Sequence, residues 1–433
     1  MKRLLVITYY WPPAGGAGVQ RWVKFTRYLR EFGWEPVIYT PSNPDCWQID
    51  ASLAEDIPEG IEVVSTRIRE PYAAYRRLFG GASTQITELS ASSSSGKSLK
   101  SRLALFIRGN FFVPDPRAGW VRPSLRFLKK YLAAHPVDAV VTTGPPQSMH
   151  LIGLGLKRKL GLPWVADFRD PWTRMFYFKD LHLLPPVRRR HLRLEAEVLS
   201  ASDAVIAVSS QVQEDFIERG ASRVVLITNG YDSSDFEGPL PEVDSAHWKV
   251  VQTGNIGSDG NPRALWKALS KMLNSDPRIK TALQIRLPGR IDPSVVASLR
   301  EEGLDGNVVM PGYLSHENTI LEQRSADLLV LPLREGPEGG KIVPGKTFEY
   351  LAARRPVLGI GDPEGAAARI LSQTRAGEMF DWNDGSGMLS FLEKSWNDFC
   401  EGRRQPLDTQ VESYSRRALT GKLASLLDSI TRK

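Results

Sequence analysis

A chain of 433 residues, 42% apolar and 24% charged, has the composition of a soluble globular protein and the bulk for two or three domains. No window approaches the ~18 to 20 consecutive apolar residues of a membrane span, and Cys46 and Cys400 offer neither a disulfide framework nor a metal-ligand spacing, so a cytoplasmic protein without a metal site is expected. The net charge of +7 asks for an anionic partner, but the basic residues are scattered apart from one dense run at 188–193, with no zinc-finger or aromatic RNA-binding signature, which argues against nucleic acid and for a phosphate-rich substrate, with a membrane surface nearby.

The opening MKRLLVITYYWPPAGG sets basic residues before an apolar run too short for a signal peptide, with no small-residue cleavage site after it. Residues 3–9 predict a first strand and 12–18 a Gly/Pro loop. The helix that follows places Trp22, Phe25, Leu29 and Phe32 on one face, and Arg21, Lys24, Arg27 and Arg30 on another that reads as solvated. A second strand covers 36–39. Gly16-Ala17-Gly18 begins a GxGxxG, yet Arg21 stands where its third glycine belongs and the second strand ends in Thr40-Pro41 rather than an acidic residue, so a nicotinamide cofactor is disfavoured. A polar run at 92–101 reads as a loop. The basic and aromatic stretch 102–130, with Phe106, Phe111, Phe112 and Trp120, reads either as a bilayer-docking patch or as core helices with basic outer faces.

Strand signals return at 138–142 and 163–166, the second delivering Asp167-Phe168-Arg169-Asp170. In a cleft Asp167 or Asp170 could orient or deprotonate a hydroxyl while Arg169 holds an anionic group; the plainer reading is an internal Arg–Asp pair. Strands at 204–208 and 224–227 follow, then a proline-rich linker at 237–247. A new strand at 249–253 leads into Gly254-Asn255-Ile256-Gly257, and strands at 283–287, 308–310, 327–331 and 356–360 alternate with helices. The expected architecture is α/β, with two Rossmann-like doubly wound parallel-sheet domains, 1–238 and 248–404, facing across a cleft. A helical segment, 405–433, is expected to pack back towards the first domain.

Residues 340–361, GKIVPGKTFEYLAARRPVLGIG, complete a strand, Gly-rich loop, helix and strand. Gly345 lets a ligand approach the backbone, the helix start favours a phosphate, and Lys346 adds a charge. Glu349, one turn on, could hold vicinal hydroxyls, so the segment suits a nucleotide's diphosphate and ribose. A helix start with an ordinary surface Lys and Glu is the alternative.

The chain resembles the GT-B, family 4-like glycosyltransferases of bacterial cell-surface polysaccharide synthesis. The resemblance rests on the Gly15-Gly16 loop, DFRDPW at 167–172, SDAVIAVSS at 202–210, ITNGYD at 227–232, TGNIG at 253–257, LPGR at 287–290, PGY at 311–313 and PGKTFEYLAARRPVL, in that order. It implies a second domain that binds a nucleotide-activated sugar, with Glu349 on the ribose and Pro344, Gly345 and Lys346 on the diphosphate. It also implies further donor contacts from Gly15 and Gly16, Gly254 and Asn255, and Arg290. An acceptor is implied near Asp167, Arg169 and Asp170. Relatives with a Glu-x7-Glu motif carry a glutamate where this chain has Lys341, and often basic residues where it has Asn255 and Gly260; Lys341, Arg263 or Arg290 would then substitute. The implied enzyme is a hexosyltransferase-like transferase that needs no cofactor. It would take a nucleoside-diphosphate sugar to a hydroxyl on a lipid-linked or cell-surface glycan, with retention, at the inner face of the membrane. A nucleotide-sugar epimerase and a non-catalytic scaffold are the alternatives.

Overall fold

The computed structural model describes residues 1–46, 49–70, 99–241, 244–336, 339–341 and 343–431. They form two compact units, Met1–Thr228 with Leu419–Lys433, and Asn229–Ala418.

The first unit holds strands β1 (Lys2–Ile7), β2 (Trp34–Pro41), β3 (Glu62–Thr66), β4 (Ala139–Gly144), β5 (Trp164–Phe168), β6 (Ala204–Ala207) and β7 (Val224–Leu226). They pair in parallel in the order β3-β2-β1-β4-β5-β6-β7. Every residue of β4, β5 and β6 is buried, as the near-continuous apolar runs of a sheet covered on both faces require. Alternation divides β1 between two core layers, Leu5 and Ile7 in one and Leu4 and Val6 in the other. Helices α1 (Ala17–Leu29), α2 (Leu99–Phe111), α3 (Val121–Ala134), α4 (Ser148–Leu160), α5 (Pro185–Ala201) and α6 (Ser210–Glu218) belong to this unit.

One expectation changes here, and for Trp120 one of two open readings holds. The basic side of α1 is not a solvated face: Arg21 is wholly buried and Lys24 nearly so, paired with Asp56 at 2.9 Å. Trp120 is not part of a surface patch either, because it is buried and stacked on Tyr39 with centroids 4.9 Å apart. Leu128 and Leu132 turn α3 into the core, whereas Phe111 on α2 is 74% exposed. Of the polar run 92–101, residues 92–98 lie outside the described ones.

The second unit holds β8 (Trp248–Val251), β9 (Leu283–Arg286), β10 (Val308–Val309), β11 (Leu328–Pro332), β12 (Val357–Ile360) and β13 (Gly377–Phe380), parallel in the order β10-β9-β8-β11-β12-β13. Its helices are α7 (Arg263–Ser275), α8 (Pro277–Ala282), α9 (Pro293–Glu301), α10 (His316–Arg324), α11 (Gly345–Ala353), α12 (Ala366–Thr374) and α13 (Gly385–Cys400). A last helix, α14 (Arg416–Thr431), puts Leu419, Leu423 and Leu427 into the core layer that holds Leu4 and Trp22. The proline-rich stretch after Phe236 is tied into the second unit: Arg324 donates to the carbonyls of Glu237, Gly238 and Pro239 at 3.0–3.3 Å. Strand order reverses between β1 and β4 in one sheet and between β8 and β11 in the other. The carboxyl ends of strands at such a switch point are where open α/β sheets bind ligands.

Candidate functional site

In the second unit the loops after β8, β9 and β10 are knitted together. Gly254 N donates to Pro288 O and Gly289 N to Gly312 O, each at 2.8 Å. Gly289 has φ +130°, and a Cβ there would sit 2.5 Å from the carbonyl oxygen of Gly254, so this crossing admits only glycine. The TGNIG, LPGR and PGY motifs thus form one ridge. Asn255 uses its side chain to hold it, accepting from Arg290 N at 3.1 Å, while the Arg290 side chain is exposed.

Across the switch point, α11 starts at Gly345 with no side chain among the described residues capping its first turn, and Gly345 is exposed with open space where a Cβ would point. Its leading N–H groups can therefore meet an anion. Lys346 is half-buried and donates to Thr253 O at 3.1 Å. Burial pushes its ammonium down to about 8, with Glu349 pulling the other way. Glu349, also half-buried, accepts from Gln323 Nε2 at 3.0 Å through Oε2. A cavity of about 390 Å³ opens here, lined among others by Asn255, Asp259, Arg334, Pro344 and Lys346, within the size range of small-ligand sites. Arg334 pairs with Asp259 at 2.5 Å. The structure thus gathers Asn255, Pro344 and Lys346 around one cavity, with Gly345 and Glu349 on the same helix. Gly254 and Arg290 lie on the adjoining ridge. The side chain of Lys341 is outside the described ones.

Sequence reasoning did not single out Arg334, Asp259, Gln323 or Thr253. Arg334 had one signal, its place two residues past a buried strand; Gln323, inside α10, had none.

In the first unit Gly16 takes φ 97° as the residue before α1, a conformation that favours glycine. The Arg169 guanidinium lies against Gly18, where any Cβ would collide with it. The Gly15-Gly16 loop and the end of β5 are therefore neighbours. Asp167, expected as a catalytic carboxylate, lies sealed in the interior instead. It is fully buried and accepts from Arg21 Nε and Nη2 at 3.2 and 3.0 Å, Trp22 Nε1 at 2.8 Å and Thr143 Oγ1 at 2.9 Å. Burial alone would raise its pKa, but the Arg21 charge and these four donors hold it below the ordinary value. Arg169 donates to Pro145 O, and burial lowers its pKa. Asp170 is half-buried and takes part in no hydrogen bond among the described residues; burial raises its pKa, opposed by Arg169. Of the two aspartates, Asp170 keeps an uncommitted carboxylate. His150 sits below, wholly buried, its Nδ1 2.9 Å from Thr142 Oγ1, and burial pushes it to about 3, so it stays neutral.

Among the described residues no helix is long and apolar enough to cross a membrane, and no group of three His, Cys, Asp or Glu side chains could hold a metal.

Two doubly wound parallel sheets, each with glycine-containing loops at its switch point, define the GT-B class of fold, and known structures of that class match the whole chain. Residues 88–235 match the family model described as Glycosyltransferase Family 4. The chain resembles an alpha,alpha-trehalose-phosphate synthase (UDP-forming) from Burkholderia xenovorans in complex with glucose-6-phosphate, at 12% identity and TM-score 0.61, over 98% of this chain and 100% of that one. It resembles WaaG, a glycosyltransferase involved in lipopolysaccharide biosynthesis, at 16% identity and TM-score 0.53, over 98% and 99%. A protein described as a UDP-N-acetylglucosamine 2-epimerase from Listeria monocytogenes matches at 10% identity and TM-score 0.54, over 99% and 96%. No curated protein matches the chain by sequence. The chain thus has the GT-B fold, and the family 4 match covers residues 88–235 of it.

Proposed function

We propose that the chain moves a sugar from a nucleoside-diphosphate sugar to an acceptor hydroxyl on a lipid-linked or cell-surface glycan, with retention and without a metal. One observation carries the reading: Lys346, the uncapped start of α11 and Glu349 lie within one turn of each other at the switch point of the second sheet. The helix N–H groups and Lys346 take the charge of the departing diphosphate, which is electrostatic assistance to the leaving group, and Arg290 on the adjoining ridge adds to it. Glu349 accepts from the ribose hydroxyls. In the first unit Asp170 orients the acceptor hydroxyl, and Arg169 holds an anionic group of the acceptor. Exposed Phe111 and Leu103 on α2 are the proposed peripheral contact with the inner face of the membrane.

Ligand-induced thermal shift with UDP-, GDP- and other nucleotide sugars tests the donor site. A shift with one donor class, absent in Glu349→Ala, is expected; no shift with any donor sinks the reading. Product analysis with and without acceptor then separates transfer from epimerisation, which needs no acceptor and belongs to a protein of the same fold. Turnover that survives EDTA is expected, and its loss would remove the metal-free part of the proposal.

A further inference from the structure

Thr253, just past β8, is the hub of a buried network that reaches both residues of the proposed donor site. Its N–H donates to Tyr350 Oη at 2.8 Å, its Oγ1 accepts from Gln323 Nε2 at 3.1 Å, and its carbonyl accepts from Lys346 Nζ at 3.1 Å. Thr253, Gln323 and Tyr350 are all essentially inaccessible.

Gln323 is the informative member. Its Nε2 divides its two hydrogens between Thr253 Oγ1 and Glu349 Oε2. An ionised carboxylate can only accept, so Glu349 dictates which way the amide points. The consequence is an amide oxygen, Gln323 Oε1, buried with no partner among the described residues. Interiors seldom tolerate such an orphan, and an apolar side chain of the same size would avoid it. Glu349, by contrast, is half-buried on a long side chain with rotamers to spare. Held through Oε2, it has no partner on Oε1 among the described residues, which leaves that oxygen for a ligand.

We propose that Gln323 is a positioning residue: it anchors the Glu349 carboxylate to the end of β8 and so sets the protein's selectivity for a ribose 2′-hydroxyl. The proposal rests on the reading of Glu349 as the ribose clamp. It makes Gln323 a determinant of ribonucleotide over deoxyribonucleotide binding without touching the nucleotide.

The test is titration calorimetry of the full chain with UDP against 2′-deoxy-UDP and GDP against 2′-deoxy-GDP, using whichever pair the wild type binds. One charge-assisted hydrogen bond predicts a ribose preference of about tenfold or more in the wild type and none in Glu349→Ala. Gln323→Met keeps the volume and removes the donors. It should shrink the preference to about twofold or less, with affinity for the deoxynucleotide unchanged. A full preference in Gln323→Met overturns the proposal, and so does an equal loss for both nucleotides, which would mark a role in folding alone. Wild type with no ribose preference, or Glu349→Ala that keeps it, overturns the clamp itself, and the proposal with it. If Gln323→Met fails to fold, Thr253→Val releases the amide from its other anchor. The preference should fall there too, and its full retention counts against the proposal.

Discussion

Asp167 in the first unit and Glu349 in the second have much in common, each an acid near the carboxyl end of a buried parallel strand and close to a basic residue. The structure treats them oppositely. Asp167 is fully buried and receives four hydrogen bonds from Arg21, Trp22 and Thr143. Glu349 is half-buried and receives one among the described residues, from Gln323. A carboxylate sealed from solvent and held at both oxygens by protein donors has nothing left for a ligand; one held at a single oxygen is positioned and still free to bind. The distinction is saturation, and it says more about function than charge or location.

Asp167→Ala puts this contrast under the greatest load. Removing one partner of a buried pair leaves the Arg21 charge without this carboxylate, and such losses cost about 3–5 kcal/mol. Urea unfolding should show that destabilisation, while the fraction still folded binds nucleotide as before. A mildly destabilised, inactive Asp167→Ala would restore a chemical role to Asp167.

Asp170→Asn probes the carboxylate that remains uncommitted in the first unit. Acceptor-dependent turnover should fall by about a hundredfold, within the range for general acid–base groups, with donor binding unaffected. Because burial raises the Asp170 pKa, its ionised form is lost on acidification earlier than for an ordinary aspartate. The acid limb of the wild-type pH profile should therefore lie above the usual carboxylate range and vanish in the variant. A third substitution, Glu349→Ala, should weaken nucleotide binding by about tenfold to a hundredfold and leave the urea midpoint nearly unchanged. That is the reverse of the Asp167→Ala pattern.

Much of this was legible in the sequence. The parallel strands announce themselves as short runs such as AVVTTG and LLVLP, because burial on both faces removes polar alternation. The glycine motifs marked the loops correctly, since crossings such as Gly289 over Gly254 have no other solution. Arg21 was illegible. Helical periodicity placed it among Lys24, Arg27 and Arg30, and its carboxylate partner lies 146 positions away, a separation that no local pattern reports. Gln323 was illegible for a related reason: an amide inside α10 has no signature until Glu349 and Thr253 are brought to it. Local rules find strands, caps and glycines, whereas long-range pairing decides which charged residue is scaffold and which is site.

The smallest predicted effect belongs to the second unit, because it concerns a group that the fold leaves unsettled. Burial depresses Lys346 to about 8, so in the free protein its charge is lost as pH rises through that value. The unfolded chain keeps the proton to about 10.5, so over the window between the two values the unfolded state binds more protons and the Lys346 contribution to stability rises with pH. Diphosphate binding should run the other way, since it needs the ammonium. Affinity for a nucleoside diphosphate is expected to be flat below pH 8 and to fall by about tenfold by pH 9, one pH unit for one proton. Lys346→Met should bind weakly and show no such slope. A wild-type affinity that stays level to pH 9.5 would mean that Lys346 serves the carbonyl of Thr253 alone. The second unit would then hold a saturated cation to match the saturated Asp167 of the first.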